Sequence, residues 1–225
     1  MIAAIMIGLM MVSLVACGLS AAAKEIEPAE AVGKITVGGF TDTDSPAVTD
    51  EVKALLEKAT ESLTGAEYTP VAYLGTQVVA GTNHLILCKV APIVPDAKAT
   101  YALVTVYEDL NGNAEITEVQ NCEAQAPVTA DDGSVLSGGY TEPETPEVTA
   151  EAKAALSKAC VGLDGAAYEA KALLGTQVVA GTNYSILCKV TPVTPNAAAS
   201  YAVVTVYEDL NGNAEISETF DFAAV

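Results

Sequence analysis

The chain has 225 residues and a formal net charge of −19, with 29 acidic side chains set against 10 lysines and no arginine. Such a surface repels phosphate backbones and anionic headgroups, which argues against nucleic-acid binding and electrostatic membrane attachment, and the missing arginine removes the usual bidentate anion clamp. One histidine leaves little from which to assemble an enzyme active site, and no phosphate-cradling loop, zinc spacing or Ser/His/Asp set is present.

In chain order, residues 2–16 are almost wholly apolar. The run is too short to span a bilayer, which takes about 20 residues. It fits the core of a secretory signal, placed at residues 1–23. Leu14-Val15-Ala16-Cys17 resembles a bacterial lipobox, with Cys17 as the lipidation site, although no Lys or Arg precedes the apolar run. Ordinary cleavage after Ala21-Ala22-Ala23 is the other route. Either way the expectation is export, to the cell surface as a lipoprotein or into the medium, with membrane contact only through a lipid on Cys17.

Beyond the signal the sequence repeats. Gln77-Val78-Val79-Ala80-Gly81 returns as Gln177-Val178-Val179-Ala180-Gly181, an offset of 177 − 77 = 100. The same offset relates Gly38-Gly39 to Gly138-Gly139 and aligns residues 101–116 with 201–216 almost identically. Two copies are too few for a solenoid. Each is therefore expected to close its own core, as domains at residues 34–121 and 138–223 joined by a linker at 122–137.

Within the second copy, Thr145-Pro146-Glu147 reads as a helix start, followed by an apolar stripe of Val148, Ala152, Ala155, Leu156, Ala159 and Leu163 that ends at Gly165. The first copy repeats this from Ser45-Pro46 through Val48, Val52, Leu55, Leu56, Ala59 and Leu63 to Gly65. Strands are predicted at 168–179, 182–191, 200–208 and 213–218. Period-two alternation puts Tyr184, Ile186, Cys188 and Val190 on the helix side, leaving Ser185, Leu187 and Lys189 on a less apolar face. The expected fold is α+β: two domains, each one long helix across an antiparallel sheet.

Four elements stand in order: a Gly-Gly pair, Thr145-Pro146-Glu147-Val148 opening a helix (Ser45-Pro46-Ala47-Val48 in the first copy), Gln-Val-Val-Ala-Gly-Thr-Asn entering a strand (followed by Tyr184, or His84 in the first copy), and a Leu-x-Gly turn between the last two strands. In this respect each copy resembles the stefin branch of the cystatin superfamily, inhibitors of papain-like cysteine peptidases. The resemblance implies a wedge of three segments. In the first copy these are Gly38 and Gly39, Gln77 to Gly81, and Leu110, Asn111 and Gly112. In the second they are Gly138 and Gly139, Gln177 to Gly181, and Leu210, Asn211 and Gly212. It also implies reversible, tight inhibition by a monomer with no catalytic residue and no cofactor. Asn111 and Asn211 depart from the Pro or Trp that many family members carry, and an amide anchors an interface less well than an aromatic ring. That departure keeps open a second reading, a non-inhibitory surface-binding or adhesion module on the same scaffold.

Cysteines after the signal are Cys88, Cys122, Cys160 and Cys188, and four allow three pairings. Burial as small hydrophobes is the first reading and a Cys160–Cys188 bridge the second. His84 and Cys88 share a strand face but stand about 13 Å apart at ~3.3 Å per residue, too far for a base and nucleophile. Asp109-Leu110-Asn111-Gly112-Asn113 looks like the start of a calcium loop, yet Ala114 replaces the sharp-turn glycine and Gln120 the bidentate acid, so a polar turn is expected. Asn183-Tyr184-Ser185 matches a glycosylation pattern inside a predicted strand.

Overall fold

The computed structural model describes residues 39–95, 97–126, 139–195 and 197–224. Cys17, Gly38 and residues 127–138, Gly138 among them, lie outside the described residues. In chain order the first copy forms β1 (Thr41–Asp42), α1 (Asp50–Thr60), β2 (Ala66–Val79), β3 (Gly81–Pro92), β4 (Thr100–Glu108) and β5 (Ala114–Gln125). The second forms α2 (Ala150–Ala159), β6 (Ala166–Val179), β7 (Gly181–Pro192), β8 (Ser200–Asp209) and β9 (Ala214–Ala224).

Both helices start later than the proline signal predicts. Thr49 and Thr149 are the N-caps, their hydroxyls accepting from the amides of Val52 at 3.4 Å and Ala152 at 3.2 Å. Acids fill the first turns and Lys58 and Lys158 the last, as the helix dipole favours. The Ser45-Pro46 and Thr145-Pro146 segments run beside the sheet instead. The carbonyls of Pro46 and Pro146 accept from Tyr73 and Leu173, each at 2.9 Å. Proline offers an acceptor but no donor, which suits a segment alongside a strand. The helices end at Thr60 and Ala159, short of Gly65 and Gly165, so Leu63 and Leu163 stand exposed rather than completing the stripe.

The expectation of two separate helix-over-sheet domains is overturned. Among the described residues, all nine strands form one antiparallel sheet, in the order β1-β2-β3-β4-β5-β9-β8-β7-β6, curled into a half-barrel with two short helices. The copies join where β5 and β9 pair, through Gln120↔Ala224, Asn121↔Ala223 and Cys122↔Phe222. β5 runs on to Gln125, within the stretch whose composition reads as linker, and β9 reaches well beyond residue 218.

The reason lies in the faces of the strands. In β3, Leu85 to Cys88 are all buried; in β4, so are Tyr101 to Val106. Ile86, Cys88, Ala102, Val104 and Val106 pack beneath Val52, Leu56 and Ala59 of α1. The alternate residues, Leu85, Leu87, Tyr101 and Leu103, face away from it and need another cover. They find it in the other copy. Leu87, Leu103 and Leu74 share one cluster with Leu187, Val203 and Leu174, and Phe40, Phe220 and Phe222 pack against its rim. A strand buried on both faces reads as a continuous apolar run. In the second copy Tyr184, Ile186 and Cys188 do lie with α2, as alternation predicts, but Leu187 on the supposedly less apolar face is completely buried.

Ion pairs lace the seam from both sides. Asp42 in β1 reaches across to Lys171 at 2.8 Å and Lys189 at 2.9 Å; Glu142 reaches back to Lys89 at 2.8 Å. Burial alone would raise the Asp42 carboxyl, but hydrogen bonds from the two lysines outweigh it and hold the group below its ordinary value. Cys88, Cys122, Cys160 and Cys188 are free thiols. Cys160 packs at the edge of the cluster that contains Cys188, whose thiol burial pushes up to about 12.

Candidate functional site

The two repeated hairpins and the N-terminal arm of the first copy converge on one end of its half of the sheet. The β2–β3 reversal is as tight as a hairpin allows, with Val79 paired to Gly81 across Ala80. Gly81 has φ +135°, and a Cβ there would lie 2.3 Å from the Glu108 carbonyl oxygen and 2.8 Å from the Tyr107 ring. Only glycine fits that position. The bend is fastened from β4, where the Tyr107 hydroxyl donates to the Ala80 carbonyl at 2.6 Å. At its base the Asn83 amide donates to the Gln77 side-chain oxygen at 2.8 Å.

The second copy reproduces every part. Gly181 has φ +134° with the Glu208 oxygen 2.2 Å from a virtual Cβ; Tyr207 donates to Ala180 at 2.7 Å and Asn183 to Gln177 at 2.7 Å. Asn183, the residue of the glycosylation pattern, thus lies within β7 and braces the bend.

Next to this bend sits the β4–β5 turn. Pairing of Thr82 with Glu108 places the two side by side. Asp109 organises the turn by itself: one carboxylate oxygen accepts from the amides of Asn111 and Asn113 at 2.8 Å each, the other from the Asn113 side chain at 2.8 Å. Those bonds, first among them the Asn113 side chain, hold the Asp109 carboxyl below its ordinary range, and Asp209 behaves alike. The carboxylate so engaged gives the calcium-loop lookalike a structural role as a turn. Lys58 from α1 donates to the Gly112 carbonyl, and Lys158 from α2 to Gly212 at 2.9 Å, tying each helix end to its turn.

Third comes the arm. Thr41 and Asp42 pair antiparallel with Thr76 and Gly75, so the chain before Thr41, Gly39 included, approaches along the Gln77–Val78 end of β2. In the second copy Thr141 bridges to Thr176, which brings Gly139 to the corresponding place. A Cβ on Gly75 would meet the Thr41 carbonyl oxygen at 2.7 Å, and one on Gly175 would crowd Tyr140 at 3.3 Å. These two glycines, with Tyr107, Tyr207, Lys58 and Lys158, are site-supporting residues that the sequence reading did not single out. A signal existed for the tyrosines: both lie inside the segment that the copies share almost letter for letter.

The tips are apolar and point into solvent. Val78 and Val178 are 86% and 82% exposed, and Leu110 and Leu210 are 87% and 84% exposed. Val79 and Val179 are half-exposed beside them. Each copy therefore holds out a short apolar ridge whose backbone is fixed by glycine sterics, a tyrosine clamp and a helix lysine. Leu110 and Leu210 also give the second turns an apolar point next to the amides Asn111 and Asn211.

Beneath the first bend the copies differ. His84 in β3 takes a hydrogen bond between Nδ1 and the Tyr73 hydroxyl at 2.8 Å, while Nε2 lies 3.4 Å from a Glu108 carboxylate oxygen, out of line for a hydrogen bond. The second copy places Leu173 and Tyr184 there. Burial lowers the His84 pKa, and Glu108 offsets this only in part. A histidine whose folded-state pKa lies below its unfolded value contributes its full stability above about pH 6.5 and loses it as pH falls through the folded value. Replacement by the second copy's residues, Tyr73→Leu with His84→Tyr, should therefore flatten the fall in urea-unfolding free energy between pH 7 and 5. An unchanged slope would show that His84 does not titrate in that window.

Comparison with models of known protein families gives no match, and comparison with curated protein sequences gives none either.

Proposed function

We propose that the chain is a reversible, tight-binding inhibitor of papain-like cysteine peptidases, exported and anchored through Cys17 or secreted, acting without a catalytic residue or cofactor. The observation that carries this reading is the pair of braced apolar ridges. Exposed valines on a tight bend are poor choices for solubility, yet both copies hold them out where, among the described residues, nothing covers Val78 or Val178. The resemblance of Gln77 to Gly81 and Gln177 to Gly181 to the inhibitory hairpin of cystatins names the partner that such a ridge suits: an enzyme whose active site is a groove.

The physics of inhibition is occupation. A stiff ridge entering a preformed groove loses little conformational entropy on docking, and protease–inhibitor contacts of standard size bury roughly 1,600 Å². Val78 and Val79 have few rotamers to freeze, and the backbone behind them is already fixed by Gly81 and Tyr107. Nothing in the inhibitor need react.

The test is residual papain activity, with the enzyme's active sites counted, against protein lacking residues 1–23. Stoichiometric loss of activity is expected, and the double change Val79→Asp with Val179→Asp should abolish it by placing a carboxylate in an apolar groove. Inhibition surviving that change would rule out the ridges as the contact. Papain left fully active by the unaltered protein would favour the adhesion-module reading, to which the amides Asn111 and Asn211 belong.

A further inference from the structure

The joint between the copies decides where the two ridges point. In the β5–β9 pairing Cys122 stands opposite Phe222, and these positions are equivalent under the offset of 222 − 122 = 100. An approximate two-fold axis therefore passes between them, and the Asn121↔Ala223 and Gln120↔Ala224 pairs lie on one side of it. A two-fold normal to an antiparallel sheet reverses strand direction, so the turn end of one copy faces opposite to that of the other. The overlap is short. From Ala114 at one turn to Cys122 is eight residues, as is the return from Phe222 to Ala214, which puts the two turn ends on the order of 50 Å apart at ~3.3 Å per residue.

This separation is fixed, not averaged over a swivelling tether. The shared cluster of Leu74, Leu87, Leu174 and Leu187 fills the joint, and the Asp42–Lys171, Asp42–Lys189 and Glu142–Lys89 pairs cross it. Each tip is also chemically the same, Gln-Val-Val-Ala-Gly beside Asp-Leu-Asn-Gly-Asn. A folded enzyme of roughly 200–250 residues has a radius of gyration of about 17 Å and a diameter on the order of 45 Å. Two such bodies seated on opposite ends keep the whole inhibitor between them.

We propose that the fused sheet is a double-headed device that seats two cysteine-peptidase molecules at once, one on the Val78–Leu110 ridge and one on the Val178–Leu210 ridge, without mutual obstruction. The proposal rests on the inhibitor reading above and extends it to the number and placement of partners. Its consequence is that occupancy of one ridge leaves affinity at the other unchanged.

The experiment is sedimentation or light-scattering mass of the complex with excess papain, alongside titration of papain activity. The unaltered protein should saturate at two enzymes per chain. Val78→Glu and Val178→Glu, each on a solvent-exposed tip and so harmless to the fold, should each saturate at one and still inhibit that one. Circular dichroism matching the unaltered protein confirms that each variant is folded, and Val79→Asp and Val179→Asp supply a second pair. Saturation of the unaltered protein at one enzyme overturns the proposal: if both single variants still bind one, the heads obstruct each other, and if only one variant binds, a single head is competent. Absence of any binding is the distinct outcome in which the inhibitor reading itself fails.

Discussion

Truncating Leu87 or Leu187 to alanine should lower the unfolding free energy by about 2–5 kcal/mol and should loosen both copies, not only the one that carries the change. Each leucine is completely buried in the cluster that the copies share. Removing three carbons there leaves a cavity lined from both sides, where neither half can relax without the other. Against a total of about 5–15 kcal/mol for an ordinary protein, that loss is a large fraction. Because the two positions lie in one cluster, the double variant should depart from the sum of the single effects. The decisive measurement is hydrogen exchange followed separately in β3–β4 and β7–β8 of each variant. For Leu87→Ala, protection should fall in β7–β8 as well as in β3–β4, together with a single urea transition. Unchanged protection in β7–β8 with two resolved transitions would mean that the copies are thermodynamically independent, and that the shared cluster contributes little.

The strands themselves were legible, as was the alternation that sends Ile186 and Cys188 to the helix side. The signal for a second buried face was present too: Leu85-Ile86-Leu87-Cys88 and Tyr101-Ala102-Leu103-Val104 are unbroken apolar runs, the mark of strands covered on both sides. In the second copy Ser185 and Lys189 flank Leu187 and dilute that mark, and a single helix of 10 residues can cover only one face. Composition alone argued for a linker after the first copy, because Cys122, Ala124 and Ala126 are small and lie among polar residues; their burial depends on a partner strand from a hundred residues away. Ser45-Pro46 and Thr145-Pro146 misled for a different reason: serine or threonine before proline suits a helix cap, but Thr49 and Thr149 cap equally well and leave the prolines to lie along the sheet. The segments at the tips were singled out only by resemblance, whereas the residues that brace the bends are not close in sequence to them, since Tyr107 sits 27 positions from Ala80.

That distant bracing makes Gly81→Ala and Gly181→Ala the most informative small changes at the tips. A methyl group on Gly81 would be placed 2.3 Å from the Glu108 carbonyl oxygen, a backbone atom of the neighbouring strand that cannot swing aside, and at a φ of +135° that side chains rarely adopt. Strain of this kind costs of order 1–3 kcal/mol if the fold holds it. The cheaper escape is for the bend to lift off β4, which breaks the Tyr107–Ala80 hydrogen bond and frees Val78 and Val79 to move. A ridge that must be re-ordered on docking gives up affinity, and a loss of about 2.7 kcal/mol would be roughly 100-fold. If the proposed inhibitor reading holds, Gly81→Ala should therefore weaken papain inhibition at the first head by about that factor while the second head continues to titrate one equivalent. Gly112→Ala is the control: its φ is +79°, but the nearest atom to an added Cβ is a carboxylate oxygen of Glu108 at 4.0 Å, so only the backbone strain operates. If the two substitutions weakened inhibition equally, positive φ alone would explain both, and the close packing of the first bend on Glu108 would have no bearing on how the ridge binds.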